Sequence, residues 1–459
     1  MRFAFKPAPA WLLCCATASI AAGPASAGDE IFRSGFENAV VFPDSANAGA
    51  DVVVKSWHGA GADRTVMIYA GGGDGSSATP VRYGECVATC SDTANWQFIT
   101  LGSYGAAGLG GGARIALDGN GHPRAVWYSQ ASLGGNGTLY YGECTGANCA
   151  SLAAWTIEPL LSFSGGDSMA LLARGAFALD PGGQPRLLLQ DLGSGTYYGQ
   201  CDTGCTQYAN WSFNQFSTIS AQADLEFSPD GVAHVAFESP APNIIDGEDM
   251  FYAACASNCG VEANWPGVML ITVNDNLVNE PFSLALDSHG APHIGFYDDT
   301  SGAHELAYAW CSTNCATAGA NDWQAFSTGL PLYSGYKGVA IAIDGTDIPH
   351  LAYGGSPDGI SDTTIDAAVC VQNCSSAPVW QWHDIAATSD IPGPPPDPCG
   401  TGLSQWQIGT SPSLAIAAGI SHVGFGTYAY FSCITGHDPQ GNPIYTVETY
   451  NGPVGYGEP

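Results

Sequence analysis

Short runs of alternating hydrophobic and polar residues recur along this chain and predict β-strands. In one representative segment the runs are SLALD, PHIGFYD, ELAYAWC and WQAFSTGL, separated by turns rich in Gly, Asp, Ser and Pro. Alternation with a period of two places successive side chains on opposite faces of a strand, and the turn residues end each run. No long stretch shows the hydrophobic period of an amphipathic helix. The pattern therefore predicts an all-β protein.

The four-run pattern repeats at a nearly constant interval. In six copies the third run ends at a cysteine, and these cysteines are separated by 58, 57, 54, 56 and 59 residues. Degenerate copies at ADRTVMIY and AGISHVGFG bring the number of units to seven. Four antiparallel strands repeated about every 55 residues are typical of a β-propeller, whose blades bury their faces against each other. An open β-solenoid or a pair of sandwiches is the alternative, but neither requires so constant a four-strand period.

The N-terminus predicts export. Arg2 and Lys6 precede an apolar run, APAWLLCCATASIAA, and GPASA ends in a small-x-small site, as in a secretory signal. We assign residues 1–27 to a signal peptide, 28–49 to a linker and 50–459 to a single seven-bladed propeller. No later window reaches the roughly 18 to 20 apolar residues of a membrane-spanning helix. We therefore expect a secreted or periplasmic monomer.

The charge balance narrows the classes of partner. The chain has 11 Lys plus Arg and 42 Asp plus Glu. Removing the signal takes away two cations and no anions, which leaves 9 against 42 and a net charge of −33. Such a surface repels nucleic acid and anionic lipid. It suits cationic partners, calcium or simple solubility.

Cysteine usage predicts a disulfide in most blades. Fourteen cysteines follow the predicted signal, an even number in an exported chain. Zinc would require about four converging ligands, and a redox motif would be C-x-x-C and would not recur six times. The predicted pairs are Cys86 with Cys90, Cys144 with Cys149, Cys201 with Cys205, Cys255 with Cys259, Cys311 with Cys315, and Cys370 with Cys374. Parity suggests that Cys399 pairs with Cys433, which matches the first cysteine of the seventh unit.

A second repeated motif joins Asp to Arg or His six residues later, as in Asp180 with Arg186 and Asp287 with His293. Seven basic or imidazole groups in register could form an anion or metal site around the channel. We favour a structural clamp across the turn between the first two strands, because a catalytic site is usually built once from unlike residues. The repeated tryptophans after each cysteine pair are expected to pack between blades.

Strand polarity separates two faces. The clamp turns and the disulfide turns lie at one end of each blade, which we call the clamp face. The turns between second and third strands, and the links between blades, form the loop face. These segments vary most, and variable loops on a rigid scaffold commonly carry binding sites. The candidate binding residues there are Tyr104, Tyr333, Tyr336, Arg82, Arg114, Arg174 and, in an insertion before the seventh unit, Trp406.

Several loop-face segments are acidic. Carboxylate clusters can hold Ca²⁺, although none has the spacing of an EF-hand, and solvated acidic turns are the commoner explanation. Calcium is the one cofactor we consider, and otherwise we expect none. The candidate calcium ligands are Asp246, Glu248, Asp249, Asp298 and Asp299, and a further acidic segment contains Asp358, Asp362 and Asp366.

The unit LALDSHGAPHIGFYDDTSGAHELAYAWCSTNCATAGANDW resembles a tandem repeat of exported bacterial proteins, and the resemblance covers about residues 50 to 450. Members of that family are similar in shape to sialidase-like, BNR-type propellers, and most have no assigned activity. The segment DEIFRSGFE also resembles a stretch found behind signal peptides in secreted proteins of Gram-negative bacteria. Both resemblances imply export, and neither implies a reaction.

These observations favour a non-catalytic recognition protein that binds a carbohydrate or an extracellular protein through its loop face. A sialidase-type glycoside hydrolase is the alternative, since Arg82, Arg114 and Arg174 fall near the loop face. However, the S-x-D-x-G-x-T-W box of such propellers is absent from the sequence, and fold analogy is a weak warrant for chemistry. A structural surface or matrix protein is the third possibility.

Overall fold

The computed structural model describes the chain as an almost entirely β protein. The described residues are 39–44, 50–59, 62–70, 79–104, 112–130, 136–146, 148–163, 170–171, 175–191, 195–218, 222–240, 248–273, 282–298, 305–317, 322–330, 338–355, 364–395, 405–408, 412–437, 440 and 443–458. They form strands and five 3-10 helices of three residues each. No helix among them is long and apolar enough to cross a membrane.

In chain order the strands up to residue 217 are β1 (Ala39–Val41), β2 (Ala50–Gly59), β3 (Ala62–Ala70), β4 (Thr79–Cys86), β5 (Trp96–Tyr104), β6 (Ala113–Leu117), β7 (Pro123–Gln130), β8 (Gly137–Cys144), β9 (Trp155–Phe163), β10 (Ala170–Leu171), β11 (Phe177–Leu179), β12 (Pro185–Asp191), β13 (Gly195–Cys201) and β14 (Trp211–Ser217). The next are β15 (Ala223–Phe227), β16 (Ala233–Pro240), β17 (Glu248–Cys255), β18 (Gly267–Val273), β19 (Phe282–Leu286), β20 (Pro292–Asp298), β21 (Glu305–Trp310), β22 (Gln324–Ser327), β23 (Val339–Ile343), β24 (Pro349–Gly355), β25 (Thr364–Gln372) and β26 (Val379–Ala387). The last are β27 (Gln405–Ile408), β28 (Ser413–Ala417), β29 (Ile420–Phe425), β30 (Thr427–His437), β31 (Pro443–Asn451) and β32 (Gly455–Glu458). The 3-10 helices are Thr93–Asn95, Leu152–Ala154, Tyr208–Asn210, Glu262–Asn264 and Thr388–Asp390.

These strands form the predicted seven-bladed propeller. Blades 1 to 6 are antiparallel meanders taken in chain order: β2–β5, β6–β9, β11–β14, β15–β18, β19–β22 and β23–β26. In blade 3, β10 pairs with the far end of β12. Contacts between innermost strands run β2, β6, β11, β15, β19, β23, β28 and back to β2, so the blades close a ring.

Blade 7 is assembled from both ends of the chain. Its strands, from the channel outward, are β28, β29, β32 and β1, and Ala39 pairs with Glu458 in the outermost pair. β1 lies within the segment 28–49 that the sequence analysis treated as a linker, and the compact unit begins at Asn38. Joining the first strand to the last ties the two ends of the ring together and covers an edge that would otherwise be unpaired. The propeller therefore includes part of the predicted linker.

The third strand of blade 7 is β32, which differs from the strand expected at Cys433. Cys433 lies on β30, and β30 forms a separate three-stranded sheet with β27 and β31. Cys433 is disulfide-bonded, and its predicted partner Cys399 lies outside the described residues. The motif VGYGEP at the end of the sequence marks the third strand of blade 7 better than Cys433 does, because it repeats the VRYGEC of blade 1 without its cysteine.

All six predicted blade disulfides are formed, and each closes the turn between the third and fourth strands. In each pair the two Cα atoms lie 5.7–5.9 Å apart, the usual distance for a disulfide. In blades 1 to 5 the indole nitrogen of the tryptophan downstream donates to the carbonyl oxygen of the second cysteine, as from Trp211 to Cys205 at 2.7 Å, whereas the Trp380 indole of blade 6 makes no such bond. The disulfide thus fixes the turn that positions the tryptophan.

Those tryptophans connect neighbouring blades. Each packs edge-on against a tyrosine on the third strand of the preceding blade, with ring centroids 5.0–5.5 Å apart. Such a geometry is worth roughly 0.5–1.5 kcal/mol beyond the buried area. The six pairs are Tyr456 with Trp96, Tyr83 with Trp155, Tyr141 with Trp211, Tyr198 with Trp265, Tyr252 with Trp323, and Tyr308 with Trp380.

The Asp–Arg or Asp–His motif is a structural clamp. Arg186 contacts Asp180 at 2.6 Å and donates to the carbonyl oxygen of Cys201 at 2.7 Å, which joins the first turn to the third strand. In three of the four histidine blades, a ring nitrogen bonds instead to the interblade tyrosine, as for His293 and Tyr308 at 2.6 Å, whereas His350 bonds to the Ser421 hydroxyl at 3.2 Å. Clamp, tyrosine, tryptophan and disulfide are therefore one connected set of contacts.

We expect the Cys201→Ala/Cys205→Ala double variant to lose about 2 kcal/mol of unfolding free energy, because the bridge closes a short loop in the unfolded chain. Urea unfolding of the oxidised protein measures this loss. Leu152→Ala, an exposed change near the disulfide of blade 2, serves as the control and should stay within about 0.5 kcal/mol of the wild type. Equal stability of the double variant and the wild type would contradict the structural role of the disulfide.

Candidate functional site

The loop face is described only at the ends of its strands. Tyr104 ends β5 and Glu248 begins β17, and their side chains are outside the described set. The other predicted residues that lie outside the described residues are Tyr333, Tyr336, Arg174, Asp246 and Asp299. These residues therefore remain predictions. The described candidates are Arg82, Arg114, Trp406, Asp249 and Asp298.

Arg82 lies on the third strand of blade 1 and holds the N-terminal segment. Its guanidinium pairs with Asp44 at 3.0 Å and donates to Thr100 Oγ1 at 3.0 Å. Asp44 also accepts a hydrogen bond from the Tyr69 hydroxyl. Burial, followed by the contact with Asp44, raises the pKa of Tyr69 far above its usual range. This Tyr69–Arg82–Asp44 cluster anchors the chain just after β1.

Arg114 lies on the innermost strand of blade 2 and is 2 % exposed. Its guanidinium pairs with Asp51 of blade 1 at 2.6 Å. Gly112 adopts a φ of +50°, and a Cβ there would lie 2.3 Å from the Asp51 carboxylate, so the pair requires a glycine at this position. Arg82 and Arg114 are thus on different strands, each with its own carboxylate.

The central channel narrows to a cavity of about 50 Å³. Its charged lining residues are Lys55, Asp224 and Glu226. Enclosure by the ring of strands raises the pKa of Glu226, and Lys55 opposes that rise. Asp224 is held by the backbone amide of Leu284 in the next blade at 2.7 Å. Because small-molecule pockets are usually about 300–1,000 Å³, the cavity does not provide a ligand-sized site.

Trp406, from the insertion, lies on β27 and is half-buried. Its indole nitrogen donates to the carbonyl oxygen of Gly393 at 2.8 Å, and its ring packs against the core between blades 6 and 7. Trp406 therefore ties the insertion to the propeller. Asp249 and Asp298 lie at the loop-face ends of β17 and β20 and are partly exposed.

The acidic segment that contains Asp366 predicted a turn residue exposed to solvent, and for Asp366 this prediction is wrong. It lies on β25 with no exposed surface, directly between Tyr353 on β24 and Asp384 on β26. Neither carboxylate oxygen makes a hydrogen bond of regular geometry among the described residues, although the side chains of Thr364 and Tyr353 are close enough to oppose the rise in its pKa. Burial raises the pKa of Asp366 to about 7, and the neighbouring Asp384 carboxylate contributes to the rise.

The clamp face carries a larger groove between blades 2 and 3. Its volume is about 410 Å³, and its lining includes Asn120, Gln184, Asp118, Arg124 and Glu143. Arg124 is partly engaged, because it donates to the carbonyl oxygen of Cys144 at 3.2 Å and lies 3.5 Å from both carboxylates. The groove is polar and is the alternative location for a bound ligand.

Another polar cluster lies between the clamp turns of blades 5 and 6. Asp287, His289 and Asp347 bring potential ligand atoms within 4.8 Å of one another. Asp347 is already bonded to the Ser288 backbone amide at 2.7 Å and to its hydroxyl at 2.8 Å. These contacts explain the cluster as a link between two turns.

Comparison with known proteins extends the fold assignment and not the chemistry. No protein-family model and no curated protein sequence matches the chain. Among solved structures, a PL25 ulvan lyase, a polysaccharide lyase bound to -[GlcA(1-4)Rha3S]-, has a TM-score of 0.50 at 12 % identity, over 89 % of this chain and 94 % of that one. The polysaccharide lyase Uly1 has a TM-score of 0.48 at 11 % identity, over 89 % of each chain. The Penicillium chrysogenum α-L-arabinanase complexed with arabinobiose has a TM-score of 0.42 at 8 % identity, over 74 % of this chain and 97 % of that one.

At these identities the likeness establishes the propeller fold alone. It does not support the specific resemblance to BNR-type or sialidase-like repeats. The disulfides are consistent with an extracellular or periplasmic protein.

We expect Asp44→Ala to lower the unfolding free energy by about 1–3 kcal/mol, because it removes the counter-charge of the partly buried Arg82 guanidinium and the acceptor of the Tyr69 hydroxyl. Chemical denaturation measures the change. Glu158→Ala removes an exposed carboxylate from blade 2 and is the matched control, with a change below about 0.5 kcal/mol. A loss below about 1 kcal/mol for Asp44→Ala would show that the pair does not anchor the N-terminal segment.

We also expect Asp366→Asn to change how the unfolding free energy depends on pH. The measurement is chemical denaturation at a series of pH values in buffer that contains a metal chelator. The folded pKa of about 7 exceeds the unfolded value of about 3.9, so the wild type loses stability as pH rises between these values. The unfolding free energy of the variant should rise relative to that of the wild type by up to about 1.4 kcal/mol per pH unit between pH 4 and 7. Above pH 7 the difference should stay constant. A constant difference in unfolding free energy across this range would contradict the raised pKa.

Proposed function

We propose that this protein is an exported, non-catalytic recognition protein that binds carbohydrate through the loop face of its propeller. The observation that carries the proposal is the asymmetry between the faces. On the clamp face the repeated polar side chains are engaged with each other, in clamps such as Asp180 with Arg186 and in histidine–tyrosine bonds such as His234 with Tyr252. The sequence variation between blades lies on the loop face.

The charged groups described near the loop face support binding over catalysis. A sialidase-type site would need arginines that converge on the carboxylate of a substrate. Arg82 and Arg114 are instead each paired with an aspartate, Asp44 and Asp51, and Arg114 is buried. Neither guanidinium is available for a substrate without breaking a pair, which in a buried setting costs several kcal/mol.

The structural neighbours are compatible with this proposal. The ulvan lyase is described as a polysaccharide lyase bound to -[GlcA(1-4)Rha3S]-. Its similarity to this chain supports a shared scaffold, so the class of ligand remains our proposal. The chain carries a net charge of −31, which repels an acidic sugar. We therefore expect the loop face to favour neutral glycans.

The test is a glycan and polysaccharide array probed with the oxidised mature protein, followed by calorimetry on the ligand that binds best. We expect Tyr333→Ala/Tyr336→Ala to weaken binding at least tenfold, or about 1.4 kcal/mol, through loss of two aromatic surfaces. Tyr208→Ala is the matched control, because Tyr208 is 54 % exposed on the clamp face.

Loss of binding on Tyr208→Ala, or on Asn120→Ala in the groove, would move the site to the clamp face and contradict the proposal. Silence across the array would also contradict it, and would favour a protein partner or a structural surface role. Product release from a bound polysaccharide, followed as new reducing ends or as absorbance of an unsaturated uronate, would establish the enzymatic alternative.

A further inference from the structure

Two blades place a charged residue at the same interior position of their third strand. In blade 1 the cross-strand row is Tyr69, Arg82 and Thr100, and Arg82 precedes Cys86 by four residues. In blade 6 the row is Tyr353, Asp366 and Asp384, and Asp366 precedes Cys370 by four residues. Other blades fill the position with uncharged side chains, such as the stacked Phe237 and Phe251 of blade 4. The two charged rows are therefore departures from the repeat.

The row in blade 1 is electrically balanced and the row in blade 6 is not. Asp44 neutralises Arg82 at 3.0 Å. The charged neighbour of Asp366 is a second carboxylate, Asp384, and Tyr353 is the other titratable group beside it. Two carboxylates directly opposite on neighbouring strands repel each other. An isolated charge in an apolar interior costs several kcal/mol unless it is paired.

The oxygen atoms around Asp366 are also unsatisfied. Both its carboxylate oxygens, the Thr364 hydroxyl and the Tyr353 hydroxyl are buried, and none of them makes a hydrogen bond of regular geometry in the described part of the chain, although the side chains of Thr364, Tyr353 and Asp384 lie within reach of Asp366. Asp366 Oδ2 and Thr364 Oγ1 lie side by side against Gly355, because a Cβ added at that glycine would lie 1.9 Å from the first oxygen and 2.7 Å from the second. Unsatisfied buried oxygens that lie side by side indicate a missing binding partner, commonly a water molecule or an ion.

We propose that blade 6 binds one calcium ion, held by the carboxylates of Asp366 and Asp384 and by the Thr364 hydroxyl. The donor set consists of oxygen alone, which suits a hard cation. Calcium accepts irregular oxygen coordination, whereas magnesium demands an octahedron and gives up its water reluctantly. Asp384 lies exposed on the outer strand and offers a path for entry.

The ion supplies in blade 6 what Asp44 supplies in blade 1, a counter-charge for a buried side chain. Calcium therefore stabilises the β24–β26 hairpins, which adjoin the loop face. This site takes Asp366 from the third acidic segment and uses none of the candidate calcium ligands on β17 and β20 that were named from the sequence. It is independent of the carbohydrate proposal, because its test uses no glycan.

The first measurement is thermal unfolding of the full chain, freed of metal by a chelator and titrated with CaCl₂ to 10 mM in 150 mM KCl. We expect Tm to rise by several degrees with calcium and much less with magnesium, following the free ion concentration. Asp366→Asn should abolish the rise. The control, Asp249→Asn/Asp298→Asn, changes two described loop-face carboxylates and should keep it.

The second measurement is calorimetric titration of the metal-free wild type with CaCl₂, which does not depend on a variant folding. We expect one calcium ion bound per chain, and the Asp249→Asn/Asp298→Asn control should keep the same stoichiometry and affinity.

No calcium-dependent rise in the wild type would overturn the proposal and leave Asp366 as a neutral acid. A rise that persists in Asp366→Asn, or calcium binding that is lost in Asp249→Asn/Asp298→Asn, would place the ion elsewhere and overturn it equally. If Asp366→Asn does not fold, Asp384→Asn should weaken calcium binding at least tenfold, and unchanged affinity would contradict the ligand set.

Discussion

The edge-on contact between a tyrosine and the tryptophan of the next blade is the interaction on which the propeller depends. A single blade has two faces to bury and cannot bury them alone. The tyrosine reaches across one boundary, as Tyr141 does towards Trp211. The Tyr141 hydroxyl donates to Glu143, which pairs with the clamp residue Arg124, and the Trp211 indole donates to the carbonyl oxygen of Cys205 beside a disulfide. Every strongly repeated residue type therefore contributes to one boundary between blades.

Ring closure follows from the same contact. Tyr456, near the C-terminus, packs against Trp96 of blade 1 and also bonds to His422 at 2.5 Å. The short strand β1 pairs with β32 next to it, so both chain ends are fixed at one blade. The Arg82–Asp44 pair adds an anchor immediately after β1. The N-terminal segment thus contributes to the stability of the whole ring.

Where the repeat is broken, the chain places charge in its interior. Arg82 is neutralised within the protein, whereas Asp366 has a second carboxylate as its neighbour. A repeat built on apolar packing tolerates such positions only with a counter-charge or a proton. Positions that depart from the repeat are therefore the informative ones for function, and the repeated residues report on architecture.

Local patterns in the sequence are enough to predict the architecture. Strand alternation, the cysteine spacing and the position of the tryptophans depend on neighbours in the chain, and they predict seven blades and the six blade disulfides. The contribution of β1, the placement of Cys433 and the burial of Asp366 depend on residues far apart in sequence. Tertiary structure decided them, because a ring joins the ends of the chain and a strand can bury a residue that local composition marks as a solvated turn.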